Sequence, residues 1–486
     1  MQSIPFPNII PNFANATLKV IRWITLLANA LGTPKKDSAS IPATEGYPNA
    51  SWGYTNGQSS TRFPLPTVPL ERAPFIDIEP SQVKNRPVHN HSERFADRAV
   101  DRVTLRERAY NHRWAVQPPD VIPLTAADSD FPVAPEIIEA MQRYLHGGYL
   151  SYGPAAGLPE FQETVAYTLQ KKHGLHCSAN QVFATNSAAS ALYQVAKFVL
   201  TEPGDEAIIA DPVDFLFERS VHAAGGRIKR LPLREDAGYT IDTDALEALI
   251  RPGKTKLLSI CNPHNPLGRV WRRGELENVA ELALRYGLWI LSDEVWSDIV
   301  YTPHRHLPIA ALGQEVGQRT FSVFGFSKGY GLAGLRLGAI VSPTPNIHRD
   351  LVEKSHANET AYGVSTLSQV AGIAAYQSAD SWQQAYLAHL QQQRDYAVSR
   401  LNSMSGVTCH SPEGTHVLFP NIANFGIDSQ EMIDLLLERH RVALVPGSPQ
   451  FFGPGAQGHI RLSFATSKGI LAEGLDRLET GLREFG

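Results

Sequence analysis

Seven short apolar runs rich in β-branched residues alternate with amphipathic segments of helical length, and this alternation constrains the fold more than any other feature of the chain. The runs fall at 181–185, 206–210, 227–233, 256–262, 288–294, 320–327 and 336–342. Segments 188–200 and 274–286 show the apolar spacing of helices that cover a sheet. We therefore predict an α/β fold with a mostly parallel, seven-stranded central sheet that is covered on both faces.

The rest of the chain is arranged around that sheet. Residues 33–90 are rich in Pro, Ser, Asn and Gly and have little apolar periodicity, so we expect an irregular extension over 1–94. We assign 95–150 to the first part of a smaller domain and 151–365 to the large α/β domain. Residues 366–486 complete the smaller α+β domain. Its expected helices lie at 378–404, 429–439 and 468–485, and its expected strands at 442–446 and 459–465.

The charge balance and the hydropathy pattern exclude two classes of partner. The chain has 44 Lys and Arg against 48 Asp and Glu, a net charge of −4, and lacks the basic field that binds nucleic acid. The best candidate for a membrane span, 18–31, is interrupted by Lys19, Arg22 and Asn29. We therefore expect neither a nucleic-acid partner nor a membrane span.

The cysteine content bears on location. Cys177, Cys261 and Cys409 are odd in number and far apart, which argues against a disulfide framework and favours a reducing compartment. The cytoplasm is the expected location. Because the first acidic residue is Asp37, an organellar transit peptide is the alternative.

Unusual residues follow four of the predicted strands, at the ends where open α/β sheets bind ligands. Small residues at 184–190 lead into a helix whose first amides suit a phosphate group. The turn at 261–268 holds two Asn-Pro units, and Asp293 ends an apolar strand, where a carboxylate needs a cationic or hydrogen-bonding partner. Lys328 is flanked by Gly, Phe and Tyr, and a desolvated amine is what Schiff-base chemistry uses.

Taken in order, these segments resemble the fold-type-I pyridoxal phosphate (PLP) enzymes of aminotransferase class I and II. The resemblance runs from about residue 128 to 486. It rests on Asn-Pro-His-Asn-Pro-x-Gly, Ser-Asp-Glu, Ser-Lys, an Arg eight residues after that Lys, Pro-Gly and Ile-Arg-Leu-Ser. It implies the cofactor PLP, amino acid and keto acid substrates, and a homodimer.

The resemblance also implies residue roles. Lys328 would form the internal aldimine and act as general acid and base, and Asp293 would pair with the pyridine nitrogen. Asn265 would contact the cofactor's 3′-oxygen and the substrate, while Arg461 would hold the substrate α-carboxylate. The expected reaction of an α-amino acid then passes through aldimine and quinonoid intermediates.

Further positions match the phosphate site of that family. Arg336 and the amides of Ala188 and Ala189 would bind the phosphate. A serine usually found three residues before the lysine is Gly325 here, so Ser327 or Ser187 is a candidate to supply a hydroxyl.

Two aromatic positions depart from the family pattern. Trp296 stands three residues after Asp293, where tyrosine is usual, and it cannot act as a phenol. Asp214 falls where an aromatic residue usually stacks on the cofactor ring, and we expect the next residue, Phe215, to do so instead.

Two branches of the family compete for the reaction. Segments 128–131 and 261–271 look like the carbon-sulfur β-lyases of the cystathionine β-lyase type, whereas Arg336 and segment 152–161 look like transaminases and related synthases. Tyr152 in that segment looks like the tyrosine lent to the neighbouring subunit's phosphate. We expect an aminotransferase, with a β-lyase or related synthase as the alternative and a degenerate scaffold or regulator as the non-enzymatic one. The histidine pairs at 89/91 and 304/306 lack a completing ligand set, so no metal is expected.

Overall fold

The computed structural model describes residues 91–359 and 363–485. The predicted extension up to residue 90 and the segment 18–31 lie outside the described residues. No helix in the described part of the chain is long and apolar enough to cross a membrane.

The α-helices are Arg102–Glu107 (α1), His112–Ala115 (α2), Pro135–His146 (α3), Pro159–His173 (α4), Ala188–Val199 (α5), Phe215–Ala223 (α6), Thr243–Leu249 (α7), Arg273–Arg285 (α8), Gln314–Gly317 (α9), Pro345–Lys354 (α10), Thr366–Ser378 (α11), Asp380–Asn402 (α12), Ser429–His440 (α13), Pro449–Phe452 (α14) and Lys468–Leu482 (α15). The strands are Ile122–Pro123 (β1), Val182–Thr185 (β2), Glu206–Asp211 (β3), Arg227–Pro232 (β4), Thr255–Cys261 (β5), Trp289–Asp293 (β6), Thr320–Gly325 (β7), Gly338–Val341 (β8), Val417–Leu418 (β9), Val442–Ala443 (β10), Val445–Pro446 (β11) and Ile460–Ser463 (β12).

The central sheet of the described chain has seven strands in the order β2-β8-β7-β6-β5-β3-β4. Strands β4, β3, β5, β6 and β7 pair in parallel in that order, whereas β8 pairs antiparallel with both β7 and β2. The other six strands therefore end at the same edge of the sheet. The predicted α/β fold and its seven strands are confirmed.

Both faces of the sheet are buried, as the runs of apolar residues predicted. Leu257 of β5 belongs to the apolar cluster that contains Leu192 of α5, whereas its neighbour Leu258 belongs to the cluster that contains Leu276 of α8. Successive side chains of a strand point to opposite faces, so helices cover the sheet on both sides.

A second layer joins the two ends of the described chain. Strand β1 pairs in parallel with β10, and β9, β12 and β11 form an antiparallel sheet. The single strand expected at 442–446 is wrong, because the backbone changes partner at Leu444: β10 pairs with β1, and β11 pairs with β12. The domain limits at 150 and 365 stay predictions.

A buried ion pair fixes the segment before the large sheet to the C-terminal layer. The side chains of Arg113 and Asp130 are fully buried and in direct contact, and the Trp114 indole donates to Asp130 Oδ1 at 2.7 Å. Arg113 Nη2 also donates to the carbonyl of Ala465 at 3.4 Å. Removing one partner would leave a buried charge without compensation.

We expect Arg113→Met to lower the free energy of unfolding by about 3 to 5 kcal/mol, because Asp130 would stay buried without its cation. Urea unfolding followed by circular dichroism measures the change. The control is Arg98→Met, which removes an exposed pair with Glu93 at 2.8 Å and should cost less than about 1 kcal/mol. Equal losses in the two variants would contradict this account.

Candidate active site

The register of the central strands brings the predicted site residues to one edge. Asp293 at the end of β6 lies opposite Cys261 at the end of β5 and opposite Val323 near the end of β7. The loops that follow β5 and β7 carry Asn265 and Lys328. Parallel strands that end together thus position an amide, a carboxylate and an amine beside one another.

Asp293 is a buried carboxylate with few partners. Its side chain is 9% exposed, and Oδ1 accepts a hydrogen bond from the Val295 amide at 3.1 Å. Burial raises the pKa of Asp293 to about 7, and the nearby Asp214 and Glu294 carboxylates act in the same direction. A cationic group placed against Asp293 would favour its ionised form.

Lys328 lies over the Trp296 ring at this edge of the sheet. Its Nζ donates to the Ala127 carbonyl at 2.5 Å and lies 5.3 Å from the centre of the Trp296 ring. Burial lowers the pKa of Lys328, although neighbouring carboxylates oppose the shift. The structure therefore favours the neutral amine more than water does, as a proton acceptor requires.

A chain of hydrogen bonds connects Asp214, Asn265 and Arg461. Asn265 Nδ2 donates to Asp214 Oδ2 at 2.8 Å, and Asn265 Oδ1 accepts from Arg461 Nη1 at 3.3 Å. Arg461 Nη2 donates to the Thr125 carbonyl at 3.2 Å, while Arg461 Nε has no partner in the described chain. Arg461 is 7% exposed. A buried guanidinium with remaining donors is suited to hold a carboxylate.

Phe215 contacts residues outside this cluster, and its expected stacking on the cofactor ring stays a prediction. Its ring lies 4.4 Å from the guanidinium of the exposed Arg219 and makes an edge contact with Phe451. Asp214, directly before it, caps α6 by accepting from the Leu216 amide at 3.0 Å. Asp214 therefore contacts Asn265, whereas the ring contacts of Phe215 are with Arg219 and Phe451.

Small residues form a tight cradle at the start of α5. Gly338 pairs with Thr185 in β2 and with Gly325 in β7. A Cβ at Gly338 would lie 2.9 Å from the Ala188 nitrogen and 2.9 Å from the Ser187 carbonyl carbon. The N–H groups of Ala188 and Ala189, the first two residues of α5, therefore lie next to the backbone of Gly338, which carries no side chain. N–H groups at the start of a helix are suited to bind an anion.

Two further residues assigned to the phosphate differ in exposure. Arg336 is exposed and adopts a left-handed backbone with φ of 52°, and its N–H donates to the Ala333 carbonyl at 3.3 Å, whereas its side chain makes no hydrogen bond or ion pair with the described residues. A positive φ in a residue other than glycine is a form of strain that clusters at functional sites. Ser327 is half-buried. Both contacts with a phosphate stay predictions.

Tyr152 points away from its own chain. It is 98% exposed, and Tyr149 and Leu150 beside it are 81% and 68% exposed. A contiguous exposed strip of large apolar side chains is typical of a protein interface.

His416 is a site residue that the sequence analysis missed. Its ring packs edge-to-face on Trp296 at 4.7 Å, its Nδ1 lies 3.3 Å from Ser463 Oγ, and it is 1% exposed. Burial, with the Lys328 cation adding to the effect, holds the pKa of His416 well below its usual range. The two-residue strand β9 beside it leaves too short a pattern to identify in the sequence. No group of three or more His, Cys, Asp or Glu in the described residues could hold a metal ion.

The comparisons with known proteins agree with this geometry. The family model for aminotransferase class I and II matches residues 119–478. The chain belongs to this family. A relative, an aspartate aminotransferase of Pyrococcus horikoshii, is 33% identical over 365 residues, which cover 75% of this chain and 91% of that protein.

Two further class I/II relatives show the range of the family. The structure of a PLP-bound putative aminotransferase from Clostridium difficile 630 superimposes with a TM-score of 0.72 at 26% identity, covering 79% of this chain and 99% of that one. The cystathionine β-lyase PatB of Bacillus subtilis is 28% identical over 365 residues, covering 75% of this chain and 93% of that protein. The fold is therefore that of the fold-type-I PLP-dependent enzymes.

The donor set of this class I/II chain fits PLP. The cradle at Gly338 and the amides of α5 suit a phosphate, and the buried Asp293 carboxylate suits a protonated ring nitrogen. The Lys328 amine lies on the same edge, and Arg461 has donors left for a substrate carboxylate.

We expect Gly338→Ala to weaken PLP binding at least about tenfold and to lower the free energy of unfolding by about 1 to 3 kcal/mol, because the added methyl group would displace the start of α5. Absorbance titration with PLP and urea unfolding measure the two effects. Gly274→Ala is the control: it lies in α8 with no heavy atom within 4 Å of its added Cβ and should raise stability slightly. Unchanged PLP affinity in Gly338→Ala would refute the cradle.

Proposed function

We propose that this protein is a PLP-dependent aminotransferase that acts on an α-amino acid and a keto acid. The observation that carries the proposal is the meeting of Lys328, Asp293 and Arg461 at one edge of the sheet. An amine of lowered pKa, a buried carboxylate and a buried guanidinium are three groups that this chemistry needs.

PLP contributes the electron-withdrawing group of the reaction. When bound, PLP supplies an electron-withdrawing ring that stabilises the electron pair left on the substrate Cα. Asp293 serves that role by holding a proton on the ring nitrogen: a positive charge beside the carboxylate offsets the burial that raises its pKa. Asn265 and the amides of α5 orient the group.

Arg461 positions the substrate. A guanidinium has five N–H donors, of which Asn265 and Thr125 receive one each. The remaining donors, including the unpaired Nε, are enough for two bonds to an α-carboxylate. Such a clamp fixes the direction of the Cα–H bond relative to Lys328.

Lys328 moves the proton. With its pKa lowered by burial, the Nζ accepts the proton from the substrate Cα and returns it at another carbon. Trp296, below the Nζ, excludes water from one side of the amine. His416 packs edge-to-face on Trp296, and because its pKa is held well below its usual range it adds no positive charge.

Carbon-sulfur β-elimination is the second candidate, and the similarity to PatB supports it. Lys328 would remove the same Cα proton in both reactions. The outcome then depends on whether the substrate carries a leaving group at Cβ and whether the proton is returned.

A single-turnover assay with a panel of amino acids separates the two reactions. Transamination converts the bound cofactor to its amine form and releases a keto acid. Elimination consumes water, releases a thiol, a keto acid and ammonia, and leaves the cofactor unchanged. Cysteine conjugates that are cleaved faster than any amino donor converts the cofactor would replace our proposal with the lyase.

We expect Lys328→Ala to lower kcat by about a thousandfold or more, since the change removes the proton carrier. Steady-state rates and thermal melting of the variant measure activity and folding. Lys197→Ala, an exposed lysine on α5, is the control and should retain full activity. A Lys328→Ala enzyme that keeps more than about a hundredth of the rate would exclude this role.

We expect Trp296→Tyr to raise the ratio of transamination to elimination, because it introduces the phenol that most family members carry there. The ratio of the two products in the single-turnover assay measures it. His416, which packs on the edge of Trp296, should accommodate the smaller ring. A ratio that falls or stays constant would count against a role for this position in reaction choice.

We infer that the catalytic unit is a C2 homodimer in which each subunit lends Tyr152 to its neighbour's phosphate site. The nearly complete exposure of Tyr152 supports this arrangement. Tyr152→Phe should weaken PLP binding by removing one hydroxyl, whereas Tyr167→Phe, also exposed at 65%, should not. Sedimentation that finds a fully active monomer would contradict the inference.

We also infer the domain limits and the location. The pairing of β1 with β10 supports one smaller domain built from 95–150 and 366–486, beside a PLP-binding domain over 151–365. The three cysteines are free, and burial raises the pKa of Cys177 to about 11 and that of Cys409 to about 12. Unreactive free thiols support a reducing location such as the cytoplasm.

A further inference from the structure

Asp214 places a second carboxylate inside the site, at a position where the resemblance led us to expect an aromatic ring. Its Oδ2 accepts from Asn265 Nδ2 at 2.8 Å, and its backbone N–H donates to the Asn265 carbonyl at 3.2 Å. Two bonds therefore join the loop after β3 to the loop after β5. A carboxylate cannot stack on a cofactor ring, so its contribution must be of another kind.

The orientation of the Asn265 carboxamide follows from its two charged neighbours. Asp214 accepts from the NH₂ group, and Arg461 donates to the oxygen at 3.3 Å. In the flipped orientation the amide oxygen would face a carboxylate and the NH₂ group would face a guanidinium, so both contacts would be lost. Asp214 and Arg461 thus select one of the two orientations.

We propose that Asp214 is a positioning residue that locks the Asn265 carboxamide, so that its second N–H is held toward the cofactor and its oxygen toward the carboxylate-binding Arg461. The assignment rests on the proposed function, because it concerns the same site. It adds a residue that couples cofactor binding to substrate binding.

The charges around Asp214 support the assignment. Asp214 lies within electrostatic range of Lys328, Arg461, Asp293 and Cys261. It favours the protonated forms of Lys328 and Asp293. Removal of its charge should therefore lower the pH at which the bound cofactor changes its absorbance.

The test uses holoenzyme and a variant that retains the helix cap. Asp214→Asn keeps a side chain that caps helices as well as aspartate, so α6 should stay intact. Asp242→Asn is the matched control: Asp242 caps α7 by accepting from the Ala245 amide at 3.0 Å, and it takes no part in the site. Thermal melting compares the two variants for folding.

We expect Asp214→Asn to weaken PLP binding about tenfold, through loss of a charge-assisted hydrogen bond. We also expect the midpoint of the pH titration of cofactor absorbance to fall by about one unit. Asp242→Asn should change neither quantity.

A double-mutant cycle tests whether Asp214 acts through Asn265. In an Asn265→Ala background, Asp214→Asn should change the PLP dissociation constant less than about twofold, because the carboxamide that it positions is absent. Additive effects on that constant would overturn the proposal, as would an unchanged constant in Asp214→Asn alone.

Two remaining outcomes are also decisive. If Asp214→Asn melts well below Asp242→Asn, Asp214→Ser takes its place, since serine caps helices but is too short to reach Asn265. Unchanged PLP affinity in Asp214→Ser overturns the assignment.

Wild-type protein that takes up no PLP overturns the proposed function together with this assignment. Wild-type uptake with unaffected variants overturns the assignment alone.

Discussion

The balance of four charges at the edge of the central sheet is the constraint on which the site depends. Asp293 and Asp214 bring two carboxylates there, and Lys328 and Arg461 bring two cations. A lone charge in this setting would be costly, and Asp214 stabilises the charged forms of Lys328 and Arg461. Burial nevertheless raises the pKa of Asp293, with Asp214 acting in the same direction, and lowers the pKa of Lys328.

Backbone groups also contribute hydrogen-bonding partners and space to the site. Thr125 and Ala127 offer their carbonyl oxygens to Arg461 and Lys328, and the segment that carries them is fixed to the C-terminal layer. The reversed strand β8 places Gly338 between β2 and β7, which clears space before the first amides of α5. In our proposal these features let one edge of the sheet hold both a phosphate and an amino acid.

Three side chains give the site its individual character within aminotransferase class I and II. Asp214 brings a hydrogen-bonding charge to Asn265, and Trp296 brings an indole to Lys328. His416 packs edge-to-face on the Trp296 ring, and its pKa is held well below its usual range. In our proposal Lys328 serves transfer and elimination alike, so we expect these neighbours to influence the choice of reaction.

The sequence by itself determined the seven strands of the central sheet, and it placed Lys328 and Asp293 after them. Apolar runs and their spacing are local signals, and they remain readable because both faces of the sheet are buried. The tertiary structure joined Asp214 to Asn265, divided the expected strand at 442–446 between two partners, and brought His416 to Trp296. These outcomes depend on side-chain direction and on contacts between distant segments, for which a linear pattern carries no signal.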